Sequence, residues 1–178
     1  MKRVSFVTLS TLLTLVMIAV YSMEQRLIVP ISIMPKIVVE QKNPTLEKLR
    51  FVGIDSLVIA ESVDIAAKRS KLSKEFLIAL MYTESEGHIM AKSCKGYKGL
   101  MQIPDNVYYP DANMLIGAHK FNEKMKIAKR DVIKALCLYK GFPVGSDEGK
   151  EAAKSVLRLQ KRLKSVEVAD ERFIRKEG

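Results

Sequence analysis

The hydrophobic residues of this chain change their spacing at Pro44, and that change decides its fold class. Before it, Ile28, Val29, Ile31, Ile33, Ile37, Val38 and Val39 form a β-branched stretch punctuated by Pro30, Pro35 and Pro44. Proline removes a backbone donor and fixes φ, so residues 23–44 read as an extended stalk or a short edge strand. After it, apolar residues recur at steps of three and four, and the spacing predicts helices over 45–52, 55–69, 74–85, 112–129, 131–139 and 147–167. Met114, Ala118, Phe121, Met125 and Ala128 form one stripe, and Ala152, Val156, Leu159, Leu163 and Val166 another; both are expected to face a core. Ser73 and Ser146 precede helices, where a hydroxyl accepts from free backbone N–H groups. The expected architecture is all-α, a compact orthogonal bundle.

One segment interrupts the helical period. Residues 87–110 hold Gly96, Gly99, Pro104 and Pro110, and apart from Tyr21 every tyrosine falls in or beside this region or at Tyr139: Tyr82, Tyr97, Tyr108 and Tyr109. A long loop in a compact domain is usually functional, and tyrosine offers a flat apolar face with a hydrogen-bonding tip. Packing of the loop explains the tyrosines equally well.

Lys2 and Arg3 stand before the apolar run from Val4 to Val20, which has no ionisable side chain, the order an export signal needs. Residues 1–22 are read as a signal peptide or, since about 17 to 20 apolar residues span a bilayer, as an uncleaved membrane anchor. No cysteine follows the run, which argues against a lipid-modified anchor. Lys and Arg number 30 against 20 Asp and Glu, a formal charge of +10 that points to an anionic partner. The export signal argues against nucleic acid. Lys150, Lys154, Arg158, Lys161, Arg162 and Lys164 make the last helix basic, a solvated face or a contact with anionic polymer or lipid. With Cys94 and Cys137 alone, a disulfide-dense scaffold and a C-x-x-C zinc site are excluded, and His88 and His119 match no ligand spacing, so no metal and no cofactor is expected. Whether Cys94 and Cys137 form a disulfide or stay free thiols is left open.

The chemistry concentrates at the end of the third predicted helix. Leu77, Leu80 and Met81 form its buried stripe, and Glu84 follows Leu80 by four and Leu77 by seven, on the same face. Glu86 points away and is expected to be solvated. Desolvation disfavours a charged carboxylate, so Glu84 is expected to titrate high and to stay protonated near neutrality, as a general acid must.

The string Ala79-Leu80-Met81-Tyr82-Thr83-Glu84-Ser85-Glu86-Gly87, followed by Gly99-Leu100-Met101-Gln102-Ile103-Pro104, resembles the catalytic domain of the soluble lytic transglycosylase (SLT) family, which has a lysozyme-like α fold. Asp111-Ala112-Asn113-Met114-Leu115-Ile116-Gly117 and Ala135-Leu136-Cys137-Leu138-Tyr139-Lys140-Gly141 are similar to two further segments of that family. The resemblance implies that residues 45–178 form the catalytic domain and that Glu84 is its single acid/base. It also implies that Ser85 supports the site, that Gly99, Leu100, Met101 and Gln102 line a glycan groove, and that Tyr139 faces it. Met101 would supply an adaptable apolar wall and Gln102 both a donor and an acceptor. Asn113 and Gly117 read as structural, the first bonding backbone and the second admitting another helix. Lys140 departs from the family's asparagine and is expected to face substrate or solvent. Thr83 and the Pro104-Asp105-Asn106 run also depart from the pattern.

The implied reaction is cleavage of the β-1,4 bond between N-acetylmuramic acid and N-acetylglucosamine of peptidoglycan, with a 1,6-anhydro product. No second carboxylate is assigned; Asp105 and Asp111 are candidates by proximity. Lysozyme-like hydrolysis and a non-catalytic glycan-binding or envelope-assembly role on the same fold remain alternatives. The expected setting is the cell envelope, periplasmic or anchored to the inner membrane. The expected partners are glycan strands, the membrane through the leader, and a secretion or conjugation apparatus; the domain is expected to be a monomer.

Overall fold

The computed structural model describes residues 43–166, which belong to the second of the two units into which the chain divides, Met1–Gln41 and Lys42–Gly178. The expected leader and residues 23–42 of the expected stalk lie outside the described residues, as does the end of the chain after 166. Among the described residues six helices form in this order: α1 Pro44–Phe51, α2 Leu57–Ser70, α3 Lys74–Ser85, α4 Pro110–Ile127, α5 Val132–Lys140 and α6 Asp147–Lys164. Among the described residues there is no strand; Lys92, Lys98 and Ile103 make isolated bridges only. The expected helices are all present, α3 with both ends as expected and the others with ends shifted by at most three residues. Pro44, read as the end of the stalk, opens α1 behind an Asn43 cap, and Pro110, read as loop, opens α4. Proline loses nothing at a first helical position, where its missing N–H has no partner. Ser73 and Ser146 cap as expected, accepting from the N–H groups of Phe76 and Gly149.

α3 is the centre of the bundle. The expected stripe was Leu77, Leu80 and Met81, yet every residue from Phe76 to Met81 is buried, Ile78 and Ala79 included. A helix apolar on all sides must be surrounded, and α1, α2 and α6 pack against it. α4 packs along α2, and α5 lies against α4 and α6. Of the α4 stripe, Met114, Ala118 and Phe121 are buried fully or nearly so. In α6 the stripe is centred on Ala153, Val156 and Leu163, so Ala153 rather than Ala152 occupies the core. Aromatic rings join the layers: Phe76 of α3 meets Phe121 of α4 at 4.6 Å between centroids, and Phe121 meets Tyr139 of α5 edge-on at 6.1 Å.

Asn113, wholly buried in the first turn of α4, holds the long loop in place. Its Nδ2 donates to the carbonyls of Lys98 (3.1 Å) and Val107 (2.6 Å), and its Oδ1 accepts from the Met101 N–H (2.8 Å). Both amide hydrogens and an oxygen lone pair are thus used. Gly99 is required beside it, because its φ is +74° and a Cβ there would lie 2.2 Å from the Asn113 amide nitrogen. Gly117 was expected to admit another helix; what approaches instead is Met101 from the loop, whose Cβ would be 2.4 Å from a Cβ at 117.

The two cysteines are free, which decides the open disulfide question for the thiols. Cys94 is exposed on the loop. Cys137 is buried where α5 meets α6, its Sγ 3.1 Å from where a Gly149 Cβ would sit, so its thiol faces helix packing rather than the groove.

Asn113→Ala would leave the Met101 N–H and the Val107 carbonyl without partners and take one of two donors from the Lys98 carbonyl, which keeps the Ile103 N–H, a cost of about 3 kcal/mol. The expected result is a thermal midpoint lower by roughly 10 °C, read by circular dichroism; an unchanged midpoint would show that the loop is not held from this residue.

Candidate active site

α3 ends as it leaves the core. Glu86 takes a left-handed conformation (φ +52°) and Gly87 follows at +83°, which turns the chain back over Ile54. Glu84 therefore sits in the last turn of a buried helix, its side chain only 14% exposed. Its Oε1 accepts from Lys140 Nζ at 2.7 Å, and the Lys140 side chain, at the end of α5, is 10% exposed. The same ammonium donates to the Thr83 carbonyl at 3.4 Å. Two opposed effects act on the carboxyl: burial raises its pKa and the Lys140 ammonium lowers it, and burial prevails. Burial, aided by the charge of Glu84, also pushes the Tyr139 phenol well above its ordinary value, so it remains a donor.

One hydrogen bond joins this helix end to the loop, a second joins the loop to α5, and a third closes a turn within the loop. Ser85 Oγ donates to the Leu100 carbonyl at 2.8 Å, and Tyr139 OH donates to the Met101 carbonyl at 2.8 Å. Gln102, left-handed at φ +45°, closes its own turn by donating from Nε2 to the Gly99 carbonyl at 2.9 Å. Among the described residues five non-glycine residues have positive φ, and two of them, Glu86 and Gln102, flank Glu84 in this way.

Glu84 lines a cavity of about 220 Å³ together with Gln102, Tyr139 and Lys140; Tyr97 and three residues of α4, Lys120, Glu123 and Lys124, complete its charged side. It also lines an open cavity of about 370 Å³ bounded by Tyr82, Thr83, Ser85 and Glu86. A carboxyl shared by two cavities is placed to meet the middle of an extended ligand rather than the end of a small one.

Of the residues expected to bind, Gln102 and Tyr139 line the first cavity and Ser85 the second. Gly99, Leu100 and Met101 line neither. Leu100 and Met101 are completely buried, and the Met101 side chain packs on Gly117, so the expected apolar wall is corrected to a core contact; what Met101 contributes is the carbonyl that fixes Tyr139. Of the two positions expected for Lys140, facing substrate or solvent, the structure sets solvent aside: its side chain is 10% exposed and lies at the cavity with Glu84. Asp105 pairs with Lys120 at 3.2 Å and Asp111 bonds the Ala112 N–H in the first turn of α4. Neither lines the cavity. Glu123, which sequence reasoning did not single out, does; its spacing with Lys120 and Lys124 was legible, but not which face of α4 the cavity would meet. Tyr108 lies under the Lys98 ammonium at 5.9 Å, and Tyr109 is exposed. His88 Nδ1 is bonded to the Ser85 carbonyl at 2.8 Å, and His119 lies in a different cleft.

Residues 61–106 match the family model described as "Transglycosylase SLT domain". That segment contains most of α2, the whole of α3 with Glu84 and Ser85, and the loop through Gln102; Tyr139 and Lys140 lie beyond it. No curated protein matches the chain. The all-helical architecture is consistent with the lysozyme-like fold of that family, and the match points to glycan cleavage of the lytic transglycosylase type.

Replacing Lys140 by Met removes the one interaction that lowers the Glu84 pKa and leaves the desolvation. The Glu84 titration, followed by carboxyl 13C NMR, is expected to move up. Glu84 titrates higher folded than unfolded, so its protonation stabilises the fold fully below the unfolded pKa, and this contribution is lost as pH rises through the folded pKa. Lys140→Met should therefore destabilise by about 3 kcal/mol at pH 7 and by much less at pH 4. A downward or absent shift would show that the ammonium does not govern this carboxyl.

Proposed function

We propose that this chain is a peptidoglycan lytic transglycosylase on a lysozyme-like fold, cleaving the β-1,4 bond between N-acetylmuramic acid and N-acetylglucosamine with Glu84 as its only general acid/base. The observation that carries this reading is a single desolvated carboxyl at the junction of two cavities, within the matched segment. A glycan strand lying through both cavities brings a bridging oxygen to Glu84. The protonated carboxyl gives its proton to that oxygen as the bond to the anomeric carbon breaks, and the substrate's own N-acetyl oxygen closes on that carbon. Glu84, now a carboxylate, takes the proton of the muramoyl C6 hydroxyl. The C6 oxygen displaces the acetamido oxygen, the 1,6-anhydro ring closes, and Glu84 is protonated again with no water consumed.

The opposed electrostatics suit a group that must both give and take a proton. Burial favours the acid that begins the cycle; the Lys140 ammonium favours the carboxylate formed midway. Tyr139 and Gln102 are assigned to the sugar at the first cavity and Ser85 to the support of the helix end; Gly99, Leu100 and Met101 act by shaping the backbone behind it. Residues 1–22 are proposed to export or anchor the domain, which would place it at the periplasmic face of the envelope.

One observation favours a second reading. Glu123 brings another carboxylate to the same cavity, and a second carboxylate able to activate water would make the enzyme a lysozyme-like muramidase.

The test is mass analysis of sugars released from purified peptidoglycan by the full chain and by Glu84→Gln. The expected result is 1,6-anhydromuropeptides, one water lighter than hydrolytic products, with release falling at least about 10³-fold in the variant while its helical circular dichroism spectrum shows it folded at the assay temperature. Reducing-end products lost in Glu123→Gln would establish hydrolysis. Absence of any Glu84-dependent product would make the protein a glycan-binding or assembly component.

A further inference from the structure

A second cleft, larger than either cavity at Glu84, lies elsewhere among the described residues. It has a volume of about 870 Å³ and lies where the ends of α2 and α4 meet, with Leu72 and Met125 as apolar floor and Lys126, Lys129 and Arg130 among its walls. Asn122 Nδ2 joins the two helix ends by donating to the Ser70 carbonyl at 2.8 Å, and Ser70 is flanked by exposed Arg69 and Lys71. Arg69, Lys71, Lys126, Lys129 and Arg130 have no carboxylate within ion-pair distance among the described residues. The acids nearby are Glu123, on the ridge this cleft shares with the Glu84 cavity, and Asp131, which caps α5 and pairs with Lys134.

The backbone here is strained in a particular way. Of the five non-glycine residues with positive φ among the described residues, the three not beside Glu84 are Lys71 (+63°), Lys129 (+52°) and Arg130 (+68°), all cationic; Lys129 and Arg130 line this cleft and Lys71 adjoins Leu72 at its edge. Lys71 is the left-handed C-cap of α2, donating its N–H to the Ala67 carbonyl, and Lys129 and Arg130 make the turn that ends α4; a left-handed cap favours glycine because it disfavours a Cβ. Glycine would relax these turns; cations stand there instead. Between them Ile127 is 65% exposed, an aliphatic side chain ringed by Lys126 and Lys129.

We propose that this cleft docks on the surface of an anionic phospholipid bilayer, with Lys71, Lys126, Lys129 and Arg130 on headgroup phosphates and Ile127 entering the acyl boundary. Cations alone would suit any polyanion. The exposed Ile127 and the Leu72–Met125 floor gain only from a partner with an apolar layer beneath its charge, which a nucleic acid or a hydrophilic wall polymer lacks. Docking does not depend on the glycan-cleaving reading, but the shared Glu123 ridge would hold the Glu84 cavity beside the bilayer.

The chain contains no Trp, so Ile127→Trp makes a single fluorescent reporter in the full chain. Residues 1–22 would attach the chain to any vesicle, whereas this reporter reads only the surroundings of position 127. Reconstituted into phosphatidylcholine vesicles containing phosphatidylglycerol, its emission is expected to shift blue and to be quenched by brominated lipid. In phosphatidylcholine alone both effects should be lost. Adding Lys126→Gln, Lys129→Gly and Arg130→Gly should lower the docked-to-undocked ratio about fivefold per charge, with a thermal midpoint no lower than the parent's because two strained turns are relaxed. Equal quenching in both lipid mixtures, quenching in neither, or quenching that survives the charge removal would overturn the proposal. An emission change produced by soluble polyphosphate, with none from anionic vesicles, would make the occupant an anionic polymer instead.

Discussion

The burial of α3 is the constraint from which the site follows. A helix with no solvent face makes its contacts on every side, and its polar residues are confined to the ends. Lys74 and Glu75 form ion pairs at the start, with Asp64 and Lys48. At the other end the chain carries Thr83, Glu84, Ser85 and Glu86 in succession, and each meets a different environment: a backbone carbonyl, a buried ammonium, the neighbouring loop and water. Glu84 is held away from water because the core it leaves is dense, and it remains accessible because the helix stops one residue later.

The loop is kept against that helix end by polar contacts that leave few backbone groups to chance. Asn113 binds three of them from below, Ser85 one from the side and Tyr139 one from above. Since Gly99 and Gly117 are the points where loop and α4 come closest, glycine at these positions and amide at 113 form one device. It explains why Leu100 and Met101 matter to the cavity without lining it: their side chains fill the core and their carbonyls position the groups that do line it.

Electrostatically two neighbouring sites differ. The Glu84–Lys140 pair is largely removed from water, and two opposing effects leave the carboxyl raised. At the junction of α2 and α4 the cations are exposed and have no ion-pair partner among the described residues. Left-handed non-glycine backbone occurs beside both sites and nowhere else among the described residues. Backbone strain of this kind costs about 1–3 kcal/mol per residue, so its confinement to two places separates them from the relaxed helices between.

Periodicity alone determined the six helices and the all-α class, because apolar spacing at three and four residues is a local property. It also determined the caps at Ser73 and Ser146, and it placed Glu84 at the inner end of α3. The motif resemblance added Gln102 and Tyr139, which do meet Glu84 at one cavity. Tertiary structure decided the rest. No local pattern says that α3 is enclosed on all sides, that Met101 turns toward Gly117, that Cys137 faces α6 rather than Cys94, or that Lys140 reaches Glu84 across 56 positions of sequence. The charge state of a carboxyl depends on which groups surround it in space. Glu84, Lys140 and Glu123 come from three helices, and only their packing sets those neighbours.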